Sequence, residues 1–264
     1  MKVRHPAVAG SFYPDNPDIL ARSVDAMLFE AGNVRTGKYP KALIAPHAGY
    51  IYSGPTAACA YTLLNTDKIR RVVLLGPTHR TLLSGLALPE ADVFETPLGS
   101  IELDRDGMAQ VQHLAQVTIE GGSHAFEHSL EVHLPFLQRK LNQFTLIPFA
   151  VGQVRPEMVA EVLNLLWGGE ETVIVISSDL SHYHPYETAM HIDAETAETI
   201  IRLEPIITHE QACGATPING LLACTEKHPL RPELIDLRNS GDTAGPRDQV
   251  VGYGAFAFYE LEHT

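Results

Sequence analysis

Cysteine is scarce in this chain, with 3 among 264 residues. Cys59, Cys213 and Cys224 show no paired spacing. We therefore expect no disulfide framework, and we expect the protein to be cytoplasmic. Cys59 and Cys224 fall among alanine and leucine in predicted helices and are expected to be core residues, which leaves Cys213 as a candidate ligand or nucleophile.

Basic residues are also in short supply, because 19 Lys and Arg face 32 Asp and Glu for a net charge of −13. Such a charge repels phosphate backbones, so nucleic acid is not an expected partner. No apolar run approaches the roughly 20 residues of a membrane span, and no basic amphipathic stretch suits a membrane surface. The first residues lack the apolar core of a signal peptide, and glycine-rich phosphate-binding loops are absent. We therefore expect a cytoplasmic protein without a nucleic-acid or membrane partner.

Short apolar runs alternate with amphipathic stretches along nearly the whole chain. The main predicted strands are residues 41–45, 71–75, 144–151 and 172–176. The main predicted helices are residues 17–31, 55–64, 127–141, 156–166, 186–203 and 217–227. This alternation predicts an α/β fold with a largely parallel central sheet, flanked by helices in three layers. Because no linker or repeat interrupts the pattern, residues 1–264 are predicted to form a single domain.

Three histidines each come shortly after a predicted strand. His47 follows the first of the four main strands, His79 the second and His182 the last. Parallel strands end at one edge of a sheet, where open α/β proteins keep their chemistry. If their strands are adjacent, His47 and His79 lie about 5 Å apart, a suitable spacing for two ligands of one ion. Asp179 precedes His182 by three residues and can orient that imidazole for acid–base catalysis, although a helix cap is the alternative interpretation.

Cys213 lies just ahead of a predicted helix. The N-terminus of a helix lowers the pKa of a thiol and favours the thiolate, which is a metal ligand or a nucleophile. The alternative interpretation is a buried residue that only caps the helix.

One short segment reads His-Ala-Phe-Glu-His, which matches the H-x-x-E-H pattern of inverted zinc proteases. In that interpretation His124 and His128 bind zinc and Glu127 acts as the base. Three fixed positions in a chain with 13 histidines carry little specificity. Glu131 lies one turn further along the predicted helix, on the face that either lines the crevice or meets solvent. Pro135 conflicts with this helix, because proline in a helix interior bends or breaks it.

Three further side chains are predicted to line the crevice. Tyr50 follows His47, and Tyr183 follows His182, so both tyrosines are expected near its mouth. Glu131 is expected on its wall. The two tyrosines would serve recognition of a small molecule or a peptide.

Taken together, these segments resemble the Memo family. The matching pieces are residues 7–14 (AVAGSFYP), 46–54, 76–79, 127–136, 177–183, 213–214 and 239–242. They extend over essentially the whole chain, and several are long, unusual strings. The combination is therefore highly specific.

The resemblance implies a fold similar to that of the class III extradiol ring-cleaving dioxygenases. Those enzymes are non-haem iron proteins with two histidines and a carboxylate on the metal and a nearby acid–base histidine. Carried over by motif, His47 and His79 correspond to the metal histidines and Cys213 to the third ligand of the Memo family. His182 corresponds to the acid–base histidine, with Asp179 beside it. By the same resemblance, a radical-SAM protein and a second small protein are candidate partners.

A thiolate in place of the carboxylate makes the expected site softer, and softer sites favour copper(I), zinc or thiolate-ligated iron. The fold therefore does not by itself imply dioxygenase activity. The first hypothesis is a redox or oxygenase-like activity that depends on one iron or copper ion, with zinc as a further candidate. The second is a metal-binding or peptide-binding module without turnover. The third is a zinc hydrolase that uses the H-x-x-E-H segment.

Overall fold

Helices cover a mixed β-sheet in the computed structural model, which describes residues 1–32 and 39–261. The helices are α1 (Pro17–Glu30), α2 (Tyr50–Tyr61), α3 (Arg105–Val111), α4 (Gly122–Ala125), α5 (Leu134–Lys140), α6 (Pro156–Leu166), α7 (Tyr186–Ile201) and α8 (Ala215–Ala223). The strands are β1 (Val3–Arg4), β2 (Ala42–Ala45), β3 (Arg71–Pro77), β4 (Leu86–Leu88), β5 (Val93–Thr96), β6 (Gly99–Glu102), β7 (Val117–Ile119), β8 (Thr145–Val151), β9 (Thr172–Ser177), β10 (His182–His184), β11 (Leu230–Asn239) and β12 (Val250–Glu260). The predicted α/β class is confirmed.

The centre of the main sheet is parallel. Its strands run in the order β10-β12-β2-β9-β3-β8-β4-β7, with β11 paired to β12. The four strands β2, β9, β3 and β8 are parallel to one another. The outer pairs of β12 with β2, β10 and β11, and of β4 with β8, are antiparallel. The prediction of a parallel sheet therefore holds for the core of the sheet, and a separate small sheet joins β1, β5 and β6.

The central strands form because their residues are β-branched or bulky and are buried on both faces. All six residues of β9 are buried, and so are all four of β2. Parallel pairing aligns the ends of these strands, with Ala45 opposite Ser177. The carboxyl ends of β2, β9 and β3 consequently lie side by side at one edge of the sheet.

The first helix shows how local sequence sets an element. Asn16 caps α1 by accepting hydrogen bonds from the backbone N–H groups of Asp18 and Ile19, both at 3.1 Å. Pro17 occupies the first turn, where its missing N–H has no partner to lose. Leu20 and Val24 are fully buried, as their spacing predicts. No helix in the described ranges combines the length and apolar character needed to cross a membrane.

The predicted helix over residues 127–141 is wrong in its first half. A single 3-10 turn covers Glu131–His133, and α5 begins only at Leu134. Pro135 thereby falls in the first turn of α5, where proline is tolerated. The residues before this turn are released from helical geometry and form a loop. That loop, residues 126–130, carries Glu127 and His128 to the edge of the sheet.

Candidate metal centre

His47 and His79 are brought together at the carboxyl edge of the sheet. Each lies two residues beyond the end of its strand, β2 for His47 and β3 for His79. The two strands are not adjacent, because β9 is paired between them. The imidazole rings nevertheless have their centroids 5.1 Å apart. The expected proximity is therefore observed, although the two strands are not neighbours, which was the condition attached to that expectation.

His128 completes a group of three imidazoles. Its ring centroid lies 5.4 Å from that of His47 and 4.6 Å from that of His79. One ring nitrogen from each histidine lies within 4.8 Å of the others, a spacing that suits a shared metal ion. His47 is buried, His128 is half-buried and His79 is exposed, so the group opens to solvent. The sequence analysis placed His128 in a protease-like helix and did not predict its position in this group. The conflict between Pro135 and that helix was the one signal that residues 127–130 are not helical.

Hydrogen bonds define the tautomer of His47. Its Nδ1 lies 2.6 Å from Oγ of Ser177, and that hydroxyl donates its proton to the carbonyl of Ser129 at 2.6 Å. A hydroxyl has one proton, so Ser177 must accept from Nδ1–H. The lone pair of His47 is therefore on Nε2. Burial, followed by the charges of neighbouring histidines, lowers the pKa of His47 well below its usual value, so this ring is neutral.

Glu127 supports the other two imidazoles from one side. Its Oε1 accepts from Nδ1–H of His79 at 2.9 Å, and its Oε2 accepts from the backbone N–H of His79 at 2.6 Å. The backbone N–H groups of His128 and Ser129 also donate to Oε1, both at 2.9 Å, and Nδ1 of His128 lies 3.2 Å from the same atom. Burial alone would raise the pKa of Glu127, but the hydrogen bonds from His128 and His79 lower it well below the usual range. Because the ionised carboxylate can only accept, the neutral ring of His79 carries its proton on Nδ1 and its lone pair on Nε2.

The loop that carries Glu127 and His128 rests closely on β3. Ser129 donates from Oγ to the carbonyl of Pro77 at 2.8 Å. A Cβ on Gly76 would lie 2.7 Å from this Oγ and 2.9 Å from Cδ2 of Leu130. Glycine at position 76 therefore permits the approach that places the loop over the strand end.

Cys213 lies beside the imidazole group. Its Sγ is 3.4 Å from Nε2 of His47 and accepts from the backbone N–H of Asp179 at 3.3 Å. Burial, followed by the charge of Asp179, raises the pKa of the thiol to about 12. The predicted lowering of this pKa by the helix N-terminus is wrong, because α8 begins two residues later and burial dominates. The thiol is thus neutral and in contact with the lone pair of His47.

Asp179 and His182 occupy the same edge. Oδ1 of Asp179 accepts from the backbone N–H of His47 at 2.8 Å, so the carboxylate fixes the chain at a cluster histidine. Burial raises the pKa of Asp179, and the bond from His47 and the charge of His182 oppose that rise. The influence of Asp179 on His182 is electrostatic. His182 is half-buried in β10, so its ring remains partly accessible to solvent.

Comparison with known proteins gives the same assignment as the motifs. The model of a family described as Memo-like protein matches residues 4–257. This chain belongs to the Memo family. A MEMO1 family protein of Methanosarcina barkeri is 37% identical over 267 residues, which cover 96% of this chain and 98% of the relative. One from Aquifex aeolicus is 36% identical over 271 residues, covering 98% of this chain and all of the relative.

A solved structure supports the fold. An uncharacterised protein of Escherichia coli K12 superimposes with a TM-score of 0.54 over 82% of this chain and 98% of its own. The two sequences are 13% identical, so the likeness concerns the fold alone. The predicted resemblance to the Memo family is confirmed by the sequence comparisons.

The remaining side chains predicted for the Memo crevice lie elsewhere or differ in environment. Tyr50 is buried, donates from its hydroxyl to the carbonyl of Val132 at 2.7 Å and packs on Phe136, so it is a core residue rather than part of the mouth. Tyr183 is 70% exposed and adopts a left-handed φ of 62°, next to His182. Such backbone geometry is uncommon for a bulky residue and is often associated with functional sites.

Glu131 is not part of the imidazole group. Its side chain is fully buried, and it binds Arg4, Tyr13 and the backbone N–H groups of Ala7 and Val8. The expectation that it lines the crevice wall is corrected by these contacts. The side chain points instead to the N-terminal segment of the protein.

The zinc-protease interpretation is also corrected, because the structure separates its members. Nε2 of His124 lies 2.8 Å from the carbonyl of Ala87, and its ring packs edge-on against Phe94. Glu127 supports His79, and His128 belongs to the imidazole group. Within the described residues, His124 is not part of a group that could hold an ion.

Proposed function

We propose that this Memo family protein binds one transition-metal ion, iron or copper, at His47, His79 and His128, with Cys213 as a further ligand. We propose further that the bound ion supports a redox or oxygenase-like activity. One observation carries it: three imidazoles present ring nitrogens within 4.8 Å of one another at the carboxyl edge of an α/β sheet.

The donor set fits such an ion. Imidazole suits iron, copper and zinc, and a sulfur ligand shifts the preference toward the softer ions among them. His47 and His79 have their Nδ1 atoms committed to Ser177 and Glu127, so their Nε2 lone pairs are available without loss of a proton. Bound iron or copper would supply one-electron redox chemistry and open positions for dioxygen or a substrate, whereas zinc would supply neither electron transfer nor the same activity.

The surrounding residues would bind and move protons. His182 is half-buried at the same edge, and we assign it the role of acid–base group. Asp179 fixes the backbone of His47 and influences His182 through its charge. Tyr183 is exposed beside His182 and is placed to contact a small molecule or a peptide.

Metal content tests the binding part of the proposal. Protein purified without oxygen and analysed by mass spectrometry for metals should carry about one ion per chain, as one site predicts. His47→Ala should remove it. His191→Ala is the matched control, because His191 is 77% exposed on α7 and pairs with Glu195. Full retention of metal by His47→Ala would contradict the assignment.

Oxygen consumption tests the activity. The iron-loaded protein is offered catechols, and turnover that is lost in His182→Asn while metal content is kept supports an oxygenase-like enzyme. Metal binding without turnover would favour the second candidate, a module that carries metal or binds a peptide. The exposed, left-handed Tyr183 is the observation that favours that candidate, because a protruding aromatic side chain suits recognition.

A further inference from the structure

Glu131 has all four of its donors in one stretch of chain. Oε2 accepts from Nη1 of Arg4 and from the backbone N–H of Ala7 at 2.7 Å. Oε1 accepts from the hydroxyl of Tyr13 and from the backbone N–H of Val8 at 3.0 Å. The acceptor is three residues beyond His128, and the donors all lie within residues 4–13. We call this stretch, residues 4–13, the N-terminal segment.

Arg4 extends the same contact along the loop. Its Nε donates to the carbonyl of His124 at 3.0 Å, and its Nη2 donates to the carbonyl of Glu127 at 2.6 Å. With Glu131, one buried guanidinium therefore fixes three points of residues 124–131. Charge-assisted bonds of this kind are stronger and more directional than neutral ones.

The N-terminal segment also touches the imidazole group and the start of α2. The ring of Phe12 packs on that of His128, with centroids 4.7 Å apart. The carbonyl of Phe12 accepts from the backbone N–H of Tyr50, the first residue of α2, at 2.8 Å. The segment thus connects the loop that carries His128 with the helix that begins three residues after His47.

We propose that the N-terminal segment positions His128 for ligation, and that the ion pair of Arg4 with Glu131 is its main contact. His128 lies in a loop, where its backbone N–H donates to the side chain of Glu127 and not to a neighbouring strand. His47 and His79 lie only two residues beyond the ends of strands of the central sheet. A ligand on a loop is placed accurately only when surrounding contacts hold it. This inference rests on the proposed metal binding and concerns how one ligand is held.

Glu131→Gln is the first test. The amide keeps the shape of the side chain but loses its charge. Its nitrogen replaces one of the two carboxylate oxygens and cannot accept a hydrogen bond, so one of the two pairs of donors loses its acceptor. We expect the dissociation constant for Co²⁺, measured by calorimetry or chelator competition, to rise about 10- to 100-fold. The visible absorption bands of the bound Co²⁺ should change as well, because they report the ligands and their geometry.

Asp104→Asn is the matched control. Asp104 accepts from Nε of Arg71 at 2.6 Å and caps α3 through the backbone N–H of Gly107 at 2.8 Å, at the opposite end of β3 from His79. Both variants lose a charge-assisted pair with arginine, so both should have a lower melting temperature than the wild type. Only Glu131→Gln should weaken Co²⁺ binding and alter the spectrum, a difference that a purely structural role would not produce.

Tyr13→Phe is the second variant, because it removes a single donor to Oε1 and keeps the ring packed on Tyr50. Its dissociation constant should lie between those of the wild type and Glu131→Gln. A wild-type protein that binds no Co²⁺ would refute the proposed function itself. Wild-type affinity and spectrum in a folded Glu131→Gln or in Tyr13→Phe would refute the positioning role and leave the metal site standing.

Discussion

Replacement of Cys213 by serine should change the number of protons released when metal binds. The thiol lies 3.4 Å from Nε2 of His47, and its pKa is raised to about 12 by burial and by Asp179. A metal ligand must be the thiolate, so ligation by Cys213 requires that this proton leave. The neutral ring of His47 has no proton to lose from Nε2.

The magnitude follows from the pKa. With a thiol pKa of about 12, fewer than roughly one chain in a thousand carries the thiolate at about pH 8.5. Histidine side chains are ordinarily uncharged at that pH, so binding should release about one proton from the wild type and about none from Cys213→Ser. The apparent association constant of the wild type should also rise about tenfold per pH unit, equivalent to about 1.4 kcal/mol.

Titration calorimetry in two buffers of different ionisation enthalpy measures the proton count directly. Cys59→Ser is the control, because Cys59 is a partly buried free cysteine in α2 that is absent from the imidazole group. It should release the same number of protons as the wild type. If the wild type binds one ion and releases no proton, Cys213 is not a ligand and the three histidines hold the ion alone.

Three further substitutions test contacts around and away from the site. Glu127→Gln should weaken metal binding about 10- to 100-fold in a chelator competition, because an amide supports the ring of His79 less well; unchanged affinity would contradict the role given to the carboxylate. Lys41→Met should lower the free energy of unfolding in urea by about 2–4 kcal/mol, because the buried ammonium donates to three backbone carbonyls. Lys68 is exposed, so Lys68→Met should change that free energy by less than about 1 kcal/mol. Equal effects of the two substitutions would contradict this role of Lys41. Burial raises the pKa of Asp193 to about 6, so the folded protein keeps a proton that the unfolded chain loses near pH 4. Wild-type stability should therefore decrease by up to about 3 kcal/mol as the pH rises from about 4 to about 6. Asp193→Asn should lack that component in urea titrations across the same range, and an identical pH profile would refute it.

The central elements could be predicted because their signals are local. The run of β-branched residues at 172–176 is the strand β9, and prolines at the start of α1 and α6 mark those helices. Short strands such as β5 and β7 were not predicted, since three or four residues carry little periodicity. β5 pairs with β1 and β7 pairs with β4, both remote in sequence, and no local pattern shows such pairing.

The site was predictable in part for the same reason. His47 and His79 follow strong strands, so the edge they share could be inferred without knowledge of the strand order. His128 could not be found this way, because its position depends on contacts between residues that are remote in sequence. Arg4 binds Glu131 and the carbonyl of Glu127, and His79 binds the carboxylate of Glu127. The orientation of Tyr50 into the core is likewise a matter of tertiary packing.

The charge of the site explains why metal binding and proton release should be linked. Three acidic groups surround the imidazoles: the Glu127 carboxyl, the Asp179 carboxyl and the Cys213 thiol. Only Glu127 has a lowered pKa, because four hydrogen-bond donors surround it, whereas burial raises the pKa of Asp179 and of Cys213. Burial thereby disfavours several negative charges in one place. A divalent cation reverses that balance for the Cys213 thiol, because it stabilises the thiolate, and its affinity should consequently rise with pH for as long as the thiol still holds its proton.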